Sequence, residues 1–376
     1  MTKGVLVTGA TGNIGSRLVQ EYLLDTQHRV WVLVRGRSQQ HAEERVKEVL
    51  KFWDVSFAQY RDRLTVLHGD VEQPNLGLAG EAIEALRDQI HLFVHSASNL
   101  RLNLSVAEAR RTILGGTKNA YEFACGLPNL ERFGFVSTLE VAGDHAGRIK
   151  EEFLSDYRIN FINTYELAKF EAEEYLKRRS TEDGTAITVF RPSMVVGEAH
   201  TGKALEFQSF YLLAEKMLLN PDYSILPKGP PVNTIPVDVL AEGIVKLLEH
   251  PGAKNQVYHL SQGPDDRLEF KDFIAQLRPV AEALLKRRIR QPKYVSPVFH
   301  RGLLRLLSKL TWGRTGRNIR TQLLFLNYAS VVWDADNKNT WAALNGLGVC
   351  RPRFAEYLPH LMGYYLAHRE GKKWPF

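Results

Sequence analysis

Residues 5–15 read Val5-Leu6-Val7-Thr8-Gly9-Ala10-Thr11-Gly12-Asn13-Ile14-Gly15, an apolar run that enters a turn with glycine at every third position. An apolar-periodic stretch from Leu18 to Leu24 follows, and then a second apolar run from Val30 to Val34. Strand, turn, helix and strand in that order make a βαβ unit. A tight turn after the strand favours a residue without Cβ at Gly9. Approach of a pyrophosphate favours another at Gly12, and close helix packing a third at Gly15. The amides around Thr11, Gly12, Asn13 and Ile14 then open a helix whose positive end suits phosphate.

Further short apolar runs come at Leu64 to Leu67, Leu92 to His95, Phe133 to Val136, Ile187 to Phe190 and Val257 to Leu260, with helical periodicity between them. This alternation predicts an α/β chain with a doubly wound, parallel Rossmann sheet. An interruption at about 197–236, containing Phe210-Tyr211-Leu212-Leu213 and Gly229-Pro230-Pro231, is expected over the strand ends as part of a substrate site. Past Gly263-Pro264 the pattern turns helical and basic up to an aromatic end, Tyr364 to Phe376. Two domains are therefore expected: 1–265, binding the nucleotide, and 266–376, smaller, mostly helical and facing substrate or carrier.

Composition agrees with an ordinary folded protein: 44% of the 376 residues are hydrophobic and 24% charged. Cys125 and Cys350 are the only cysteines, too few for a disulfide framework or a multi-cysteine zinc site. Cys125, in the apolar helical setting of Ala120 to Gly126, reads as packing. His91 and His95 stand four apart on a strand, roughly 13 Å, too far to share an ion, so no metal is expected. No apolar run reaches the roughly 18–20 residues of a membrane span and no signal peptide is evident, so the expected compartment is the cytoplasm.

The second strand ends Val34-Arg35-Gly36-Arg37-Ser38. A carboxylate there would favour NAD, whereas guanidinium forks at Arg35 and Arg37 suit the extra phosphate of NADPH. Tyr165 and Lys169, four apart in a helical segment, share one face. An ammonium close to a phenol favours the phenolate and makes the tyrosine a usable acid. Ser137-Thr138, at the end of the strand before it, offers a hydroxyl to the same oxygen.

With these motifs in order, joined by Gly69-Asp70-Val71, His95-Ser96-Ala97-Ser98 and Arg191-Pro192-Ser193, the chain resembles an extended short-chain dehydrogenase/reductase over roughly residues 4 to 265. The resemblance implies that Asp70 and Val71 contact the adenine side and Ser96 and Ala97 run beneath the cofactor. It also implies that Pro192 and Ser193 lie near the nicotinamide amide and that Thr138, Tyr165 and Lys169 form the catalytic set, with Lys169 also holding the nicotinamide ribose. Val136-Ser-Thr-x-x-Val141-Ala-Gly143 and Trp333-Asp334-x-x-Asn337-x-Asn339-Thr340 look most like the NADPH-dependent thioester and fatty acyl-CoA reductases, with Glu140 at a position often aromatic in relatives. That likeness implies an acyl thioester of coenzyme A or an acyl carrier protein, reduced to an aldehyde and onward to an alcohol if a second hydride follows. A ketone or alcohol oxidoreductase of sterol-like or flavonoid-like substrates, and a non-enzymatic NADP sensor, are the alternatives.

The net charge of +7 is unevenly spread: from Ala283 to Trp333 there are eleven Lys or Arg and no Asp or Glu. Such a segment suits an anionic partner, a phosphate-bearing carrier or a lipid surface for peripheral membrane contact; no nucleic acid is expected, since aromatic residues in it are few and no recognition motif accompanies it. Leu303, Leu304, Leu306, Leu307 and Leu310 within it read either as helix core or as shelter for an acyl chain or membrane contact.

Overall fold

The computed structural model describes the chain except residues 1, 103, 146, 155–158, 209, 212, 215–224, 230, 263–267, 314–318, 320–333 and 370–376. Trp333, Gly263-Pro264, Leu212 and the last seven residues of the aromatic end thus lie outside the described residues.

Seven parallel strands form the main sheet: β1 (Gly4–Thr8), β2 (Arg29–Val34), β3 (Leu64–His68), β4 (Leu92–His95), β5 (Arg132–Val136), β6 (Ile187–Pro192) and β7 (Gln256–Leu260). Their spatial order is 3-2-1-4-5-6-7, which reverses direction between β1 and β4. A crevice opens at the carboxyl ends of the strands at such a switch point. Successive side chains on a strand face opposite sides. Accordingly Val5, Val7, Val30 and Val32 join one apolar cluster while Leu6, Trp31 and Leu33 join another.

The helices that matter here are α1 (Asn13–Asp25), α2 (Gln39–Phe52), α3 (Thr164–Asp183), α4 (Val237–Glu249), α5 (Phe270–Leu285), α6 (Pro297–Leu310), α7 (Lys338–Gly346) and α8 (Phe354–His368). Helix α3, which carries the Tyr-Lys pair, is pinned at both ends. The Asn163 side chain accepts from Glu166 N at 3.0 Å and the Glu166 carboxylate accepts from Ile162 N at 2.8 Å, a cap worth about 1 kcal/mol. At its other end Gly184 takes the left-handed conformation, φ 77°, as helix stops require.

The expected division near residue 265 does not separate two cores. Helix α7 returns to the nucleotide-binding body, where Trp341 and Leu344 share a cluster with β1, α1 and α4. Asp334–Ala335 pairs in parallel with Arg148–Ile149. Among the described residues α5 and α8 build a core apart from the sheet, around Phe207, Phe210 and Tyr211 of the insertion. The reason is polar as well as apolar. Thr340 Oγ1 accepts from His259 N of β7 at 2.8 Å, and Asn337 Nδ2 and Trp341 Nε1 both donate to Ser261 O, at 2.7 and 2.9 Å.

The leucines of α6 also part company. Leu304 is buried against Ile319, whereas Leu303, Leu306 and Leu310 are exposed.

Candidate active site

A cleft of about 1020 Å³ runs along the carboxyl ends of the strands, at the upper end of the roughly 300–1,000 Å³ typical of ligand sites. Its floor at the switch point is the glycine turn. Gly9 has φ +73°, and a Cβ there would lie 2.7 Å from Ala97 N; one on Gly15 would lie 2.2 Å from Gly9 O. Both positions are closed to any other residue. Gly12 instead faces the cleft and begins α1, whose first turn has neither a capping side chain nor an acidic residue. Its amides remain available to an anion. Below the turn, Thr8 Oγ1 bonds His95 Nδ1 at 2.8 Å and accepts from Ala97 N at 3.3 Å, locking the ends of β1 and β4 together. His95 is pushed down to about 3 by burial and by the charge of Lys169. It is a neutral packed residue.

Thr11, Gly12, Asn13, Ile14, Arg35, Val71, Ser96, Ala97, Thr138, Tyr165, Lys169, Pro192 and Ser193 all line this one cleft. Two expected cofactor contacts do not. Arg37 is exposed and its backbone N–H donates to the His41 ring at 3.1 Å. The Asp70 carboxylate is turned onto Glu72 N at 3.0 Å, shaping the loop rather than facing the cleft. Arg45 of α2, which the reading of β2 overlooked, lines the cleft instead. It reaches Thr11 Oγ1 at 2.9 Å and Arg35 O at 2.5 Å. Its sequence signal was a cation on the helix directly after an arginine-bearing strand. An acid also enters this end: Glu72 lies 3.5 Å from Arg35 and pairs with Arg111. The absence of a carboxylate holds along β2 but not in space. Arg45, by contrast, has no carboxylate partner among the described residues.

Three polar side-chain atoms on the cleft wall are buried and lack a hydrogen-bond partner: Asn13 Oδ1, Ser98 Oγ and Ser193 Oγ. Buried polar groups are normally satisfied, and these three are spread from the start of α1 to the end of β6. A dinucleotide laid over the glycine turn would run along the wall that carries them, so the residues present fit a nicotinamide cofactor.

At the other end of the cleft the two adjacent hydroxyls differ. Ser137 Oγ donates to Glu173 Oε1 at 2.5 Å. Glu173 in turn holds Arg191, both nearly inaccessible, through contacts of 2.5 to 3.2 Å. Ser137 is thereby committed to the interior. Thr138 Oγ1 accepts from Glu140 N at 3.2 Å and lines the cleft with its own proton still available.

The expected electrostatic pairing of Tyr165 with Lys169 is corrected by the structure. Burial, followed by the charges of Glu140 and Glu166, holds the Tyr165 phenol above its usual range. Burial also lowers Lys169 to about 7, with Glu173 opposing the change. Low-dielectric surroundings disfavour phenolate and ammonium alike, and burial is the leading cause of both shifts. The Lys169 ammonium donates to Val136 O at 2.7 Å and lies 4.6 Å from the centre of the Phe135 ring. Tyr165 therefore stays protonated, which is the state an acid needs.

Glu140, singled out in the sequence only as a departure from relatives, proves to be a wall residue of the cleft. Burial first and the charge of Glu166 second push its carboxyl up to about 8. Glu206 and Gln208, within the insertion, also line the cleft, beside Met194 and Val195. Cys125 is not packed inside as expected. It is exposed, with Sγ 3.7 Å from Asp183 Oδ2, and burial of its neighbourhood raises the thiol, the reverse of an activated nucleophile.

Sheet order, glycine turn and the Tyr-Lys helix beside a strand-end hydroxyl are the layout of the extended short-chain dehydrogenase/reductase type, with a cleft that fits a nicotinamide cofactor. A family model described as male sterility protein, an NAD-binding family, matches residues 7–244. The chain belongs to that family. It is 25% identical over 227 residues to a fatty acyl-CoA reductase of Drosophila melanogaster named wat, a match covering 52% of this chain and 43% of that one. It is 22% identical over 283 residues to a linear gramicidin synthase protein of Brevibacillus parabrevis, covering 73% of this chain and 5% of that protein. The chain thus spans less than half the length of these curated relatives. The crystal structure of the terminal R domain from the myxalamid PKS-NRPS pathway superposes with a TM-score of 0.80 at 21% identity, covering 99% of this chain and 92% of that one. That likeness is one of fold.

Proposed function

We propose that this protein reduces acyl thioesters, carried on coenzyme A or an acyl carrier protein, with NADPH. The observation that carries the proposal is the convergence of Thr138, Tyr165 and Lys169 on the cleft that the glycine turn floors. Arg35 and Arg45 at the adenosine end favour NADPH, since guanidinium groups match a phosphate's geometry.

The glycine turn, Ser96, Ala97, Pro192 and Ser193 would hold the cofactor along the cleft, and its reduced nicotinamide would supply the hydride for the thioester carbonyl. Thr138 donates its hydroxyl proton in a hydrogen bond to the carbonyl oxygen as negative charge grows there. Tyr165, kept protonated by burial, transfers its proton to that oxygen. The Lys169 ammonium, anchored on Val136 O, stabilises the phenolate left behind. The resulting hemithioacetal expels the thiol and leaves an aldehyde; a second reduction would give the alcohol.

The test is product analysis by mass spectrometry after incubation with NADPH and a panel of acyl-CoA esters. Aldehyde or alcohol should appear together with free coenzyme A. Replacing Tyr165 with Phe should leave NADPH binding intact and slow turnover about 100-fold or more. NADPH consumption with ketones, and no thiol release with any ester, overturns the thioester reading.

A further inference from the structure

Helix α6 presents apolar side chains in two directions. Its inner side holds Leu304 against Ile319, with His300 also buried. Its outer side carries Phe299, Leu303, Leu306 and Leu310. At 100° per residue these four fall within one narrow stripe, about 16 Å long. Three of the four are well exposed, Phe299 62%, Leu306 57% and Leu310 64%, with Leu303 at 37%; Val298 and Trp312 at the two ends are 81% and 82% accessible. Exposed Lys309 and Arg305 lie to one side of the stripe, about 90° and about 130° round the helix from its centre. Exposed Lys286, Arg288, Arg290 and Lys293 stand on the segment that leads into the helix. The sequence from Ala283 to Trp333 contains no acid.

Scattered exposed leucines need no explanation, but a contiguous ridge ending in tryptophan does. A convex ridge with cations beside it, and not an apolar groove, is the geometry by which a helix lies in a bilayer interface. The apolar face sinks to the acyl boundary while the long basic side chains reach the headgroups. Anionic headgroups supply the complementary charge, worth about 1 kcal/mol per cation near the surface. Among the described residues no helix is long and apolar enough to cross a membrane, so the contact is peripheral.

We infer that α6 docks the protein onto the surface of an anionic phospholipid bilayer, through the Phe299-Leu303-Leu306-Leu310 ridge with Trp312 and the adjoining Arg305 and Lys309. This inference does not rest on the reaction assigned above.

Sedimentation of the full chain with vesicles tests it, using phosphatidylcholine alone and phosphatidylcholine with a third phosphatidylglycerol. The wild type should sediment with the anionic vesicles at low salt, and much less with the neutral ones or in molar salt. Leu306→Asp should weaken partitioning about tenfold or more, because a charge replaces a buried apolar group. The double variant Arg305→Gln/Lys309→Gln should bind at least about tenfold more weakly, with a smaller salt dependence than the wild type. Wild-type affinity for NADPH in each variant shows that the fold is intact. Failure of the wild type to bind either vesicle overturns the inference, as does undiminished binding by all variants. Two further results would also overturn it: a dimer that Leu306→Asp dissociates with no vesicle binding, which assigns the ridge to a second copy, or capture of an acidic carrier protein in place of lipid.

Discussion

Replacing Glu140 with Gln removes one titrating proton from the cleft wall while keeping the shape of the side chain. The folded protein holds the Glu140 proton until about pH 8, against 4.5 for an ordinary glutamate. As an acid whose folded value is raised, it contributes stability that is fully present below the unfolded value. That contribution is lost as pH rises toward the folded one. Across the two units from about pH 6 to about pH 8, at 1.36 kcal/mol per unit, the loss would approach about 2.7 kcal/mol. Glu140 is half-buried, with the cleft on one side, so water screens part of this and about 1–2 kcal/mol is expected. Urea denaturation of wild type and Glu140→Gln across this range reads the difference directly. Other groups that titrate there, such as Lys169 near 7, are common to both proteins and cancel. The variant should gain about 1–2 kcal/mol on the wild type between about pH 6 and about pH 9. Activity should show the same ionisation. Above about pH 8 a carboxylate at 140 joins that of Glu166 in opposing charge on Tyr165, so the wild-type rate should fall there and the Gln rate should lack that limb. A stability difference independent of pH would refute the reasoning.

Thr138→Val should slow turnover about 10- to 100-fold by removing a donor to the carbonyl oxygen. Ser137→Ala should stay within a few-fold in rate and lose about 1 kcal/mol of stability with its bond to Glu173; steady-state rates and denaturation curves separate the two. Arg45→Ala should raise the KM for NADPH about tenfold and leave that for NADH nearly unchanged, as measured by cofactor titration of the rate. Glu173→Gln should cost about 3–5 kcal/mol in urea unfolding, because it strands the buried Arg191 guanidinium.

The fold was legible because each strand of the main sheet is a short apolar run bounded by polar or glycine-rich turns. The expected Leu92 to His95 matches β4, and the others differ from the structure by two residues or fewer. Gly9, Gly12 and Gly15 placed the cleft, since their roles are local backbone geometry. Spatial partners were not legible. Arg45 belongs to α2, which packs back so that it reaches Arg35 O, and Glu72 to the loop after β3, which the parallel pairing of β2 with β3 sets beside Arg35. The electrostatics of Tyr165 could not be read from a four-residue spacing, because burial acts through the whole surroundings. The spacing indicated that Lys169 was near, but not that both groups sit in a medium that disfavours their charged forms. The insertion was placed over the site by its position between strands, though nothing in its composition identified Glu206 and Gln208 as the residues that reach in.

The late segment Asp334 to Gly346 is a structural part of the nucleotide-binding half. It adds a short parallel strand beside Arg148–Ile149 and supplies hydroxyl, amide and indole to the end of β7. A chain cut near residue 265 would therefore strip the last strand of its outer cover and leave the His259 amide without its acceptor. Chimaeras that exchange the carboxy-terminal half with a relative should transplant α5, α6 and α8 and retain residues 334–346, even though these come later in the chain than two of the helices being exchanged.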